Sequence, residues 1–192
     1  MMHVLIVGEV GVGKSTLIRK LLEGLETPCG FITKKEPQDE SANANIYIHS
    51  PALPWHYGED NRVGVCSAEG ATPFWDVFDR MGVKLLQEPA QGRVVLMDEL
   101  GFLESKAEKF CAEVLRALDG PDTVVAAVKP KDTEFLLRVR SHPKARCYPI
   151  TFENRDRLKD EILRDLAIAF PASPLVASRP LGACRGVGGS RD

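Results

Sequence analysis

Residues Gly8 to Ser15 read Gly-Glu-Val-Gly-Val-Gly-Lys-Ser, the spacing G-x-x-x-x-G-K-S. Gly8, Gly11 and Gly13 allow a tight loop whose backbone N–H groups turn inward. A helix opening at the end of that loop aims its positive dipole at the same point. An anion of phosphate size belongs there, held by the amides of Glu9, Val10 and Val12 as well as the glycines, with Thr16 closing the motif. Lys14 supplies a mobile full charge to the terminal phosphates, and Ser15 places a hydroxyl where Mg²⁺ bridges the β and γ oxygens. A chance glycine-rich turn would not bring the lysine, the hydroxyl and both flanking elements with it.

A P-loop also needs a carboxylate at the end of another strand to hold the water shell of the metal. Val94-Val95-Leu96-Met97-Asp98 fits this Walker B role, so Ser15 and Asp98 are the expected metal-holding pair and Mg²⁺ the expected cofactor. Glu99 follows directly. It either orients or deprotonates the attacking water or forms an ion pair with no part in the chemistry. Glu104 either positions the base or lysine or sits in the first turn of the next helix, where negative charge is favourable in any protein. Asp98-Glu99-Leu100-Gly101 also satisfies D-x-x-G, in which the glycine, here Gly101, senses a γ-phosphate. The guanine-reading N-K-x-D is missing, since the corresponding strand end reads Val128-Lys129-Pro130-Lys131. That weakens a GTPase-switch reading.

Asn154-Arg155-Asp156 opens the last helix after a strand end. The residues are either a plain helix start or an asparagine amide and arginine plane set against the nucleobase. Arg80, Arg93, Arg138 and Arg146 are all available as a charge-stabilising arginine, and nothing in the sequence selects one. Trp55, Tyr57 and Trp75 either stack on a base or cover a core edge. His49, His56 and His142 have no metal-site spacing.

The elements that must position these groups alternate strand and helix, the pattern of an α/β domain with a mainly parallel, buried sheet. Strand patterns occupy His3 to Val7, Cys29 to Thr33, Ile46 to Ile48, Val63 to Cys66, Val94 to Met97, Thr123 to Val128 and about Cys147 to Thr151. Helical spacing runs over Ser15 to Leu25, from Pro73 to Leu85, Ser105 to Leu118, Thr133 to Arg140 and Arg155 to Ala169. Lys34 to Asn45 reads as an exposed polar turn, and Pro51 to Asp60 fits no element. The expected architecture is a three-layer P-loop domain over residues 1–170, with helices flanking the sheet. The Pro-, Ser-, Gly- and Arg-rich residues 171–192 are expected to form a tail without order.

Four segments in order, Gly8 to Thr16, Gly30 to Thr33, Asp98 to Gly101 with Glu104, and Thr151 to Asp156, resemble the nucleoside-triphosphatase family found in thermophiles and, in animals, as the cancer-related nucleoside-triphosphatase. The resemblance spans residues 3 to about 168 and departs from the family pattern between Lys34 and Pro73. It implies slow hydrolysis of ATP, GTP and other nucleoside triphosphates with loose base preference, which with the P-loop reading makes Mg²⁺-dependent hydrolysis to diphosphate and phosphate the expected reaction. A small-molecule or nucleotide kinase and a nucleotide-gated regulatory module remain as alternatives.

Length and composition agree with one globular domain: 192 residues, 44% hydrophobic, 25 basic against 27 acidic side chains. The near-neutral balance points to neither nucleic acid nor membrane, and Arg179, Arg185 and Arg191 are too few to make the tail an RNA-binding segment. The chain enters a strand pattern at once, so no signal sequence is expected, and the five cysteines contain no C-x-x-C pair. Reduced thiols in a cytoplasmic protein are expected. No protein partner is identifiable.

Overall fold

The computed structural model describes residues 2–37, 43–169 and 172–177. Its centre is an eight-stranded sheet in the order β5-β4-β3-β2-β6-β7-β1-β8. The strands β1 (His3–Val7), β2 (Cys29–Pro37), β6 (Val95–Leu100), β7 (Val124–Val128) and β8 (Ala145–Pro149) run parallel. An antiparallel run of β3 (Ala44–His49), β4 (Arg62–Ser67) and β5 (Gly70–Pro73) extends the sheet beyond β2.

The continuous apolar runs of the parallel strands follow from burial on both faces. Leu5, Val95, Met97, Val124, Ala126 and Val128 face one layer, formed largely by α4 (Glu108–Asp119) and α5 (Glu134–Arg140). Val4, Ile6, Leu96, Val125 and Ala127 face the other, formed by α1 (Lys14–Leu22), α6 (Leu158–Ala169) and the short α7 (Pro174–Ala177). The first layer is completed by α2 (Trp75–Val77), a π-helical turn (Phe78–Gly82) and α3 (Val83–Leu86). His3, fully buried, ties the layers together: its Nε2 donates to Leu118 O at 2.7 Å and its Nδ1 accepts from Val124 N at 3.1 Å.

The three-layer, mainly parallel architecture is the one expected, with differences at its edges. Lys34–Pro37 and Ala44–Asn45 are strand, not turn, because they pair in register as a hairpin, Lys35 opposite Ile46 and Pro37 opposite Ala44. Residues 38–42, the middle of the expected turn, lie outside the described residues. The helix expected from Ser105 begins at Glu108, since Ser105 and Ala107 donate backbone N–H groups to Phe102 O and Glu104 O in a separate turn. The last helix begins at Leu158 rather than Arg155. At the head of the tail, α7 seats Leu175 fully buried in the core; residues 178–192 lie outside the described residues. Cys29, Cys66, Cys111 and Cys147 are free thiols, with Cys29 buried and the others half-buried.

Strand order decides the site. The strand β6 that carries Asp98 is not the neighbour of β1, because β7 lies between them. The loop after β1, the carboxylates of β6 and whatever follows β7 are thereby brought to one end of the sheet, outside the carboxyl ends of its parallel strands, where open α/β sheets hold their ligands.

Candidate active site

The loop from Gly8 to Gly13 leaves β1 and enters α1 at Lys14. Gly11 (φ 82°) and Gly13 (φ 109°) are both left-handed, a conformation costly for any side-chain-bearing residue. Left-handed residues in such a loop make a concavity of N–H groups. Val12 is buried in the layer below and anchors the loop, while Val10 stands exposed at its tip. The first turn of α1 contains no acidic residue, so no carboxylate of the helix itself competes with an incoming anion for its dipole.

Lys14, almost fully buried, lies folded over this loop. Its Nζ donates to Gly8 O at 2.7 Å and Glu9 O at 2.8 Å and stands 3.2 Å from Glu99 Oε2. Ser15 Oγ donates to Asp98 Oδ1 at 3.0 Å. The expected pairing of P-loop hydroxyl and strand-end carboxylate is therefore present as a direct contact. Burial raises the Asp98 carboxyl above its ordinary value, with the Ser15 hydrogen bond opposing, Glu99 adding to the rise, and Lys34 and Lys14 opposing it.

Asp98 and Glu99 are held by the neighbouring strand β2. Thr33 Oγ1 accepts from Glu99 N at 3.3 Å and lies 3.4 Å from Asp98 O as donor. The β6–β7 register shifts between Asp98 and Leu100, so that Glu99 stands out of the ladder and turns toward the loop. Its other oxygen, Oε1, lies 3.2 Å from Lys129 Nζ, at the end of β7. Ser15, Thr33, Asp98, Glu99, Glu104 and Lys129 share one cavity of about 410 Å³, which continues past Lys34 and Lys35 to Ile46, Cys66 and Ala71 on the antiparallel strands.

Glu104 is buried and accepts a hydrogen bond from Gly101 N; burial pushes its carboxyl up to about 7. It sits in the turn before α4 and not in a helical first turn. The Gly101 amide is thus already engaged within its own turn.

On the other side of the loop, Gly13, Thr16, Lys20, Arg155 and Asp156 line a second cavity of about 300 Å³. Arg155 Cδ would come within 3.9 Å of a Cβ on Gly13, and its guanidinium lies 5.5 Å from the centroid of the Phe152 ring, which is 65% exposed. Asn154 has a different task. Its Oδ1 accepts from Thr151 N and its Nδ2 donates to Pro149 O, both at 2.8 Å, so its amide holds the turn after β8.

The remaining aromatic candidates are placed elsewhere. Trp55 donates to Ser50 O and stacks on His49 at 5.3 Å, Tyr57 meets Tyr47 and His49 edge-on at 5.0 Å, and Trp75 donates to Leu103 O. None of the three lines either cavity. Of the arginines, Arg80 donates to Asp60 O, Arg93 pairs with Glu88 and Arg146 with Asp165. These three and Arg138 are absent from both linings. Sequence reasoning missed Thr33, Phe152 and Lys129. Thr33 directly follows the part of β2 that pairs with β6, and Lys129 and Phe152 lie beyond the C-terminal ends of β7 and β8, so their place on the ligand side of the sheet was itself the available signal.

Comparisons with known proteins bear on the family and the fold. The family model described as NTPase matches residues 3–163. The nucleoside-triphosphatase THEP1 of Thermotoga sp. (strain RQ2) is 28% identical over 166 residues, covering 84% of this chain and 94% of that protein. The cancer-related nucleoside-triphosphatase homolog of Mus musculus is 25% identical over 182 residues, covering 84% and 94%. The crystal structure of THEP1 from the hyperthermophile Aquifex aeolicus superposes with a TM-score of 0.65 at 23% identity, over 86% of this chain and 99% of that one.

Proposed function

The chain belongs to the NTPase family, and on that premise we propose that it hydrolyses nucleoside triphosphates to the diphosphate and phosphate at the cavity lined by Ser15, Asp98 and Glu99. The observation that carries the reading is the position of Glu99. Its carboxylate stands beside the P-loop lysine, 3.2 Å away, in the cavity that also holds the Ser15–Asp98 pair.

The Ser15 hydroxyl and the Asp98 carboxylate suit Mg²⁺. Both are hard oxygens, they already lie within 3.0 Å of each other, and a raised, buried carboxyl is one that a cation would stabilise in its charged form. Among the described residues no group of three His, Cys, Asp or Glu side chains can hold a metal alone, so phosphate and water oxygens would complete the shell. When bound, Mg²⁺ neutralises charge on the β and γ oxygens.

The chain's own residues do the rest. The loop amides and the α1 terminus hold the phosphates, and Lys14 exchanges Gly8 O, Glu9 O and Glu99 for phosphate oxygens. Glu99 then orients the water for in-line attack, and Thr33 keeps the Asp98–Glu99 backbone in position. Across the loop, the nucleobase meets the Arg155 plane and the exposed Phe152 ring. Stacking accepts any base, because every base has a π face, and with Asn154 engaged in its own turn this supports a loose base preference.

A second reading, phosphoryl transfer to an acceptor, draws on the extension of the same cavity to Ile46, Cys66 and Ala71. Phosphate release from ATP, GTP, CTP and UTP, each with Mg²⁺ and no other substrate, separates the two. Release from all four is the expected result. Silence until an acceptor is added would replace hydrolase with kinase.

A further inference from the structure

The strand β7 separates β1 from β6, and the residue that follows it, Lys129, therefore emerges between the phosphate loop and the catalytic carboxylates. Its position there is held at several points. Lys129 N donates to Leu100 O at 2.9 Å. Its stem passes over Gly101, where a Cβ would lie 3.1 Å from Lys129 Cδ. Its ammonium is 5.5 Å from the centroid of the Phe102 ring and 3.2 Å from Glu99 Oε1. Gly101 thus has a role that D-x-x-G sensing does not need: it leaves room for this lysine.

Glu99 is consequently shared by two ammonium groups, Lys14 on Oε2 and Lys129 on Oε1. Only Lys14 belongs to the phosphate loop. Its present partners are two loop carbonyls and Glu99, all of which it must leave to reach the phosphates. Lys129 has no such call on it and stays. Lys34, the other cation that bears on these carboxylates, lies 5.5 Å from the centroid of the Trp55 ring.

We infer that Lys129 is a positioning residue for hydrolysis, holding the Glu99 carboxylate in place once the phosphates draw Lys14 away. The inference rests on the reading of Glu99 as the group that orients the water. A carboxylate left without a partner would swing into the cavity, and displacing a reacting group by about 1 Å costs on the order of 100-fold in rate. The family's phosphate loop is not involved; Lys129 acts only through Glu99.

The test is a double-mutant cycle on the full chain, with Mg²⁺ and ATP, read as steady-state and single-turnover phosphate release. Lys129→Met is expected to lower kcat about 100-fold with KM within about threefold, because binding groups are untouched. Lys129→Arg, which keeps a cation within reach of Oε1, is expected to recover most of that loss. In the Glu99→Gln background, adding Lys129→Met is expected to change the residual rate by no more than about twofold, the signature of two residues acting as one unit. Wild-type kcat in Lys129→Met, or the same loss in both backgrounds, would overturn the inference; the second outcome would mean that Lys129 touches the phosphoryl group itself or serves the fold. Full turnover by Glu99→Gln alone would instead remove the reading of Glu99, and the two failures are thereby told apart.

Discussion

Glu104 shows how far burial alone can move a side chain's chemistry. Its carboxyl, 3% exposed, accepts from Gly101 N and is pushed by desolvation from an ordinary value of 4.5 up to about 7. A carboxyl whose native value is raised binds its proton more tightly folded than unfolded. Its contribution to stability is therefore fully present below about 4.5 and is lost as pH rises through about 7. The full change is on the order of 3 kcal/mol. Glu104→Gln keeps the oxygen that serves Gly101 and removes the titration. Urea denaturation is expected to show the variant more stable than the wild type at pH 8 and close to it near pH 5. A wild-type pH dependence retained in the variant would place the titration elsewhere. At this scale the sequence was legible where a motif names its own residues: Lys14, Ser15, Asp98 and Glu99 come together as their types require. Glu104 left two readings open because its burial depends on the turn before α4. Lys129 carries no motif and Phe152 only its place within the Thr151 to Asp156 segment, and the folded sheet is what brings both to the site.

The elements have their own logic. The loop between β1 and α1 depends on Gly13, whose φ of 109° is paired with open space: the nearest atom to an added Cβ is Arg155 Cδ at 3.9 Å. Gly13→Ala therefore tests backbone strain with no clash. Left-handed backbone costs a side-chain-bearing residue about 1–2 kcal/mol, so nucleotide affinity is expected to fall roughly tenfold if the loop must hold that shape to bind. Titration with a fluorescent nucleotide measures it, and an unchanged affinity would show that the loop binds in another conformation. Among the elements, the buried strands were legible as apolar runs and the helices by their spacing. The edge was not. Lys34 and Lys35 are exposed on a hairpin that reads as a polar turn. Gly70–Pro73 forms β5 with no apolar alternation, because only its partner β4 and not a core holds it there.

At the scale of the whole molecule, a parallel sheet between two helical layers could be read from the alternation of patterns, and strand order could not. Each central strand is apolar on both faces, so β1, β6 and β7 are interchangeable as patterns, and their order depends on crossovers that leave no local mark. That order has a functional consequence. With β7 between the phosphate loop and the Asp98–Glu99 strand, the site opens where three strand ends converge, and the NTPase family model spans all of them, from residue 3 to 163. Among the described residues no helix is long and apolar enough to cross a membrane. On the function proposed above, this convergence hydrolyses nucleoside triphosphates with Glu99 directing the water. Its most direct test is to measure ATP affinity and phosphate release side by side in Glu99→Gln. Affinity within about threefold of the wild type and turnover lower by about 100-fold or more are expected. Turnover equal to the wild type, or lost only in step with affinity, would contradict it.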